Sequence, residues 1–157
     1  MSGKYVALGD FDDVICETAK YFTKIAWDLF KIDVPYKEVQ FFNLQKSFDL
    51  SDEQYDELMR AGHFPENLLA YEEAPGASST INKWVDEGHD VSIITGRPFD
   101  SYGPSRQWLD EHNLARVPLF CVDKYGRESF NQDCSYNMQT YCILKYSHRL
   151  LIICCPH

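Results

Sequence analysis

Lys4-Tyr-Val-Ala-Leu-Gly9 runs directly into Asp10-Phe11-Asp12-Asp13-Val14-Ile15, and the fold is read outward from this stretch. A short apolar run bounded by polar residues is the pattern of a buried strand. The strand stops at a cluster of carboxylates, which no apolar core tolerates unless they are paired or exposed. Downstream, Ile15, Ala19, Phe22, Ala26 and Leu29 recur at steps of 4, 3, 4 and 3, one face of a helix over 14–30. Pro35 closes that unit.

The strand–helix rhythm resumes after residue 74. Pro75-Gly76 punctuates the chain, Ile81, Trp84 and Val85 share a helical face, and Gly88 suits a position just past the helix end. Asp90-Val-Ser-Ile-Ile-Thr95 reads as a second buried strand, ending in Gly96-Arg97-Pro98. A helix over 105–113 brings Trp108 and Leu109 inward, and Val117 to Val122 reads as a third strand, ending at Asp123-Lys124. Leu150 to Cys155 reads as a fourth. This alternation predicts an α/β fold with a parallel sheet and right-handed crossovers. Residues 36–74 lack strand alternation; Ser51-Asp-Glu-Gln54 is a capping box, and Pro65 opens another short helix. The chain is therefore expected to divide into an α/β core, 1–15 with 75–157, and a helical insert over 16–74.

The 157 residues suit about one domain, and a chain of this size buries roughly 70% of its unfolded surface. Fifteen Lys and Arg against twenty-four Asp and Glu leave a formal charge of −9. With no basic run, this excludes broad binding to a nucleic acid polymer, which needs clustered cations. No apolar stretch is long enough to span a membrane. No secretory leader precedes the first strand, so a cytoplasmic location is expected. The six cysteines, at 16, 121, 134, 142, 154 and 155, form no CxxC pair and no zinc spacing, and are read as reduced thiols.

Ligands of open parallel sheets bind beyond the carboxyl ends of the strands. There the sequence delivers Asp10 and Asp12 from the first strand, Thr95 and Arg97 from the second, and Lys124 from the third. Two carboxylates, a hydroxyl and cations at one rim suit phosphoryl transfer. One carboxylate can attack phosphorus, the other can shuttle a proton, and the hydroxyl and cations can hold the phosphoryl oxygens. Two acids so close repel each other, and Mg²⁺, a hard cation that prefers oxygen ligands, relieves that. The bland alternatives are that Asp10 and Asp12 cap the following helix, that Thr95 satisfies a strand end, and that Arg97 makes a surface ion pair. Phe11, Phe41, Phe42 and Phe48 are read as core rather than as a base-stacking platform, and His63 and His89 as loop or cap residues.

Asp10-Phe11-Asp12-Asp13-Val14-Ile15 resembles the DxDx[VT][IL] first motif of the haloacid dehalogenase superfamily, and Ile93-Ile94-Thr95-Gly96-Arg97 resembles its second. Lys124 stands where the third-motif lysine stands. The stretch from Pro75 to Thr95 further resembles the 5′(3′)-deoxyribonucleotidase-like branch. The resemblance covers about residues 4–128 and implies a Rossmann-like core with a small helical cap, the insert over 16–74, after the first strand. It also implies a Mg²⁺-dependent phosphatase, a nucleotidase by branch, acting on a small phosphorylated substrate. Asp10 would be the nucleophile. Asp12 would protonate the leaving group and then activate water. The Asp10 side chain and the Asp12 main-chain carbonyl would ligate Mg²⁺, and Thr95, Gly96, Arg97 and Lys124 would meet the phosphate.

One departure counts against full activity. The fourth motif, an acid after a fourth strand, is replaced by Cys154-Cys155-Pro156-His157, and the only acids beyond residue 125 are Glu128 and Asp133. This reads as a truncated or frame-shifted end. It keeps open a catalytically impaired remnant that binds phosphorylated small molecules weakly or not at all. A phosphotransferase or dehalogenase using the same nucleophile is a third reading. The oligomeric state and the substrate carry no sequence signature.

Overall fold

The computed structural model describes residues 6–39, 43–121 and 150–153. Four strands form one sheet in the order β3-β2-β1-β4, with every neighbouring pair parallel. They are β1 (Val6–Gly9), β2 (Asp90–Thr95), β3 (Leu119–Cys121) and β4 (Leu150–Ile153). The α/β class and the parallel sheet are as the sequence predicts. The expected fourth strand pairs with β1, placing Gly9 between Ile93 on one side and Ile153 on the other. Residues 4, 5, 122, 154 and 155 of the expected strands lie outside the described residues.

All described elements between β1 and β2 are helical: α1 (Thr18–Phe30), α2 (Leu44–Phe48), α3 (Asp52–Gly62), α4 (Pro65–Leu69) and α5 (Ala77–Asp86), with one 3₁₀ turn at Tyr36–Glu38. The capping box of α3 forms as read, the Ser51 hydroxyl accepting from Gln54 N while the Gln54 side chain accepts from Ser51 N. Pro65 occupies the first turn of α4. Helix α1 begins four residues later than its apolar spacing suggests. Asp13 takes a left-handed conformation, φ 56°, which short polar side chains tolerate. The chain then folds back so that Phe11 O accepts from both Ile15 N and Cys16 N.

The chain leaves and re-enters the sheet region along paired segments. Ala74 N donates to Ile15 O at 2.8 Å and Glu17 N donates to Glu72 O at 2.9 Å, around an antiparallel bridge between Cys16 and Glu73. After β2 a 3₁₀ turn, Phe99–Ser101, leads into α6 (Tyr102–Glu111). Helix α6 packs against α4 and sets Trp108 in the middle of the core. The Trp108 ring meets Phe11 edge-on, with centroids 5.2 Å apart, and its indole N–H donates to Tyr71 O at 2.8 Å. A buried Trp with its N–H satisfied is a strong anchor. Here it ties the loop after β1, the end of the helical segment and α6 together. Burial along β2 alternates: Val91, Ile93 and Thr95 are buried, while Ser92 and Ile94 are half-buried. The strand therefore has one well-covered face rather than the two expected.

Candidate functional site

The parallel register brings the end of β1 beside the end of β2, which runs two residues past the level of Gly9. Asp10 follows β1, half-buried, with Oδ1 accepting from Phe11 N at 2.7 Å. Burial and the neighbouring Asp12 charge raise its pKa above the usual carboxylate value, against the pull of the Phe11 and Asp12 amides.

Asp12 is the most connected residue of the site. Its Oδ1 accepts from Thr18 Oγ1 at 2.7 Å and its Oδ2 from Thr95 Oγ1 at 3.3 Å. Arg97 Nε lies 3.1 Å from each carboxylate oxygen and Nη2 2.6 Å from Oδ1. Burial opposes the charge on Asp12, but the Arg97 guanidinium and the hydrogen bonds outweigh it and hold the carboxyl below its usual range. Thr95 is buried, and its hydroxyl also accepts from Arg97 N at 3.3 Å.

Arg97, expected among the phosphate ligands or in a surface pair, points inward. Its side chain is 1% exposed. Nη1 donates to Ser105 Oγ at 2.8 Å, Nη2 reaches Cys16 Sγ at 3.5 Å, and the guanidinium carbon sits 3.9 Å from the Phe11 ring centroid. The Tyr71 ring centroid lies 5.5 Å from the same carbon, and the Tyr71 hydroxyl donates to Gly62 O at 2.8 Å. The ion pair is thus real but buried at the arginine.

The helix-capping alternative for the acids goes to a third carboxylate: Asp13 Oδ1 accepts from Ala19 N at 2.8 Å in the first turn of α1. Gly96 is half-buried directly after Thr95. Lys124, Phe41 and Phe42 lie outside the described residues, whereas Phe11 and Phe48 are core. Asp10, Asp12, Thr95, Gly96 and Arg97 therefore gather around two adjacent strand ends.

Four partners were not read from the sequence. Thr18 carried a weak signal, a hydroxyl six residues after Asp12 at the start of a helix. Ser105 carried one too, a small polar residue on the inward face of α6. Tyr71 and Cys16 gave none. Cys16 is buried, 3.1 Å from Thr18 Oγ1, and burial pushes its thiol pKa up to about 12.

A divalent cation is tested by the donors present. The resemblance implies the Asp10 carboxylate and the Asp12 main-chain carbonyl, and both are hard oxygens at the end of β1. Mg²⁺ commonly takes only one or two carboxylates and keeps several waters, so this pair fits. The described residues hold no group of three His, Cys, Asp or Glu that would make a fuller cage. Among them, no helix is long and apolar enough to cross a membrane.

No protein-family model matches the chain, and no curated protein matches it. Solved structures do. A haloacid dehalogenase-like hydrolase from Streptococcus pneumoniae aligns with TM-score 0.62 at 11% identity, over 98% of this chain and 77% of its own. A predicted phosphoglycolate phosphatase from Haemophilus somnus aligns at 0.61 and 13%, over 97% and 77%. A haloacid dehalogenase family hydrolase from Deinococcus radiodurans, solved with bound phosphate and sodium, aligns at 0.60 and 14%, over 95% and 71%. The chain has the Rossmann-like α/β fold of these haloacid dehalogenase-family hydrolases.

Proposed function

We propose that the chain is a phosphomonoester hydrolase working through an aspartyl-phosphate on Asp10. One observation carries the reading: Asp10 stands half-buried at the end of β1, beside an Asp12 that is hydrogen-bonded to Thr95 at the end of the adjacent strand. The shared fold of solved phosphatases supports it. A carboxylate oxygen of Asp10 attacks phosphorus, the bond to the leaving oxygen breaks, and the acyl phosphate forms. Asp12 handles the proton, giving it to the leaving oxygen and taking it back from the water that hydrolyses the acyl phosphate. Its donor-rich surroundings suit the base half of that cycle best. The Gly96 amide, Lys124 and, once its hydroxyl turns from Asp12, Thr95 receive the phosphoryl oxygens.

The Asp10 carboxylate and the Asp12 carbonyl would hold Mg²⁺, which would supply positive charge that eases an anionic substrate toward Asp10. The substrate is a small phosphorylated molecule, a nucleotide if the branch resemblance holds. The helices over 16–74 act as its cap. The competing reading, a remnant that binds phosphorylated molecules without turnover, draws on the absence, among the described residues, of a group of three His, Cys, Asp or Glu that could hold a metal ion. Phosphate release from an aryl phosphate, with and without Mg²⁺, decides between them. The hydrolase is expected to lose release in Asp10→Asn, and equal rates in variant and wild type would remove Asp10 from the chemistry.

A further inference from the structure

We infer that Arg97 is a positioning residue, fixing the Asp12 carboxylate beside Asp10 rather than binding the substrate phosphate. The inference rests on the hydrolase reading above. Among the described residues the Arg97 side chain is 1% exposed and most of its N–H groups are already partnered. Nε and Nη2 meet both oxygens of Asp12, Nη1 meets Ser105 Oγ, and Nη2 also reaches Cys16 Sγ. The guanidinium carbon rests 3.9 Å from the Phe11 ring centroid and 5.5 Å from that of Tyr71.

A carboxylate on a short loop swings about two side-chain torsions, and proton transfer demands a fixed approach. Here three elements stop the swing. Thr18 at the start of α1 holds Oδ1, Thr95 at the end of β2 holds Oδ2, and Arg97, itself held by Ser105 of α6, spans both. A fork of N–H donors orients a carboxylate where an ammonium only attracts it. With the side chain 1% exposed and Nε and Nη2 on Asp12, a phosphate that took this edge of Arg97 would compete with the group that moves the proton.

The two roles separate in kinetics and binding. Arg97→Ala is expected to lower kcat on 4-nitrophenyl phosphate about a hundredfold. The Kd for inorganic phosphate is expected to stay within about twofold, since phosphate is not its ligand. Free guanidinium in the buffer is expected to restore part of the rate to Arg97→Ala, while Arg97→Lys keeps the charge and stays slow. A rise of about tenfold or more in the phosphate Kd, with kcat retained, would overturn the inference and make Arg97 a phosphate ligand.

Where Arg97→Ala does not fold, Ser105→Ala serves, because it loosens the guanidinium without removing charge. A lowered kcat at unchanged phosphate Kd supports the role, and a weakened Kd overturns it. Absence of turnover in the wild-type chain overturns the hydrolase reading and the positioning role together. A weakened phosphate Kd with turnover intact overturns the positioning role alone.

Discussion

Arg97 and Asp12, 85 residues apart in the chain, form a fork-to-carboxylate pair, buried at the arginine and half-buried at the aspartate, with Nη2 2.6 Å from Oδ1. Such a pair is a liability when half of it is removed, because the surviving charge loses its partner in a poorly hydrated setting. Arg97→Met is expected to cost about 3 kcal/mol in urea denaturation, and Asp12→Asn/Arg97→Met less than the sum of the two single changes. Additive losses would show that the two side chains do not interact in solution.

His63 gives the pH dependence. It ends α3, with Nδ1–H donating to Met59 O at 2.6 Å. Burial holds its pKa below 6.5, with Arg97 adding to the shift and the Met59 bond, Asp12 and Asp100 opposing it. A base whose pKa is lower in the folded state takes up protons more readily when unfolded. Its contribution is therefore intact above pH 6.5 and is lost as the pH falls through the folded value. The melting temperature of the wild type is expected to drop further between pH 7.5 and 5.5 than that of His63→Gln. Parallel curves would show that His63 is as free to charge in the folded chain as in the unfolded one.

Cys16 is expected to resist alkylation. Its thiol is buried and its pKa is pushed up to about 12, so thiolate is scarce near neutrality. Mass spectrometry after native iodoacetamide treatment is expected to leave the Cys16 peptide unmodified, and treatment in urea to label it. Native labelling at the urea rate would mean that the wall behind Arg97 opens to solvent.

Gly62 tests the packing of α3 against α1. A Cβ there would collide with the ring of Phe22, itself only 2% exposed on α1. Gly62→Ala is expected to destabilise the chain by about 2 kcal/mol through overpacking. Gly62→Ala combined with Phe22→Leu is expected to recover part of the loss. A neutral Gly62→Ala would show that α1 and α3 are farther apart.

The sheet was legible because its strands are short apolar runs cut off by charged or turn residues, as at Gly9-Asp10 and Thr95-Gly96. The Ser51–Gln54 box was legible because a capping box is wholly local. The start of α1 was not, because residues 14–17 share the apolar spacing of a helix while the backbone at Asp13 turns the other way. The direction of Arg97 was not either. Thr95-Gly96-Arg97 says that a cation follows a strand end, but whether it faces a ligand or the interior is decided by Phe11, Tyr71 and Ser105, distant in sequence and adjacent only once folded. The same holds for Asp13, which takes the helix-end duty that its two neighbours were candidates for.

The seam at residues 15–17 and 72–74 has a bearing on how such a molecule diversifies. Because the outgoing and returning strands are stitched to each other, the entropy of closing the intervening loop is settled at the seam. Lengthening the connections beyond it then adds only about 0.6 kcal/mol per doubling. New helices can be grafted or trimmed on the far side without retuning the register of β1 against β2. The helical segment meets the sheet region at this stitched edge and again where Trp108 of α6 holds Tyr71 O, so a graft that leaves both ties in place leaves the strand ends where they are.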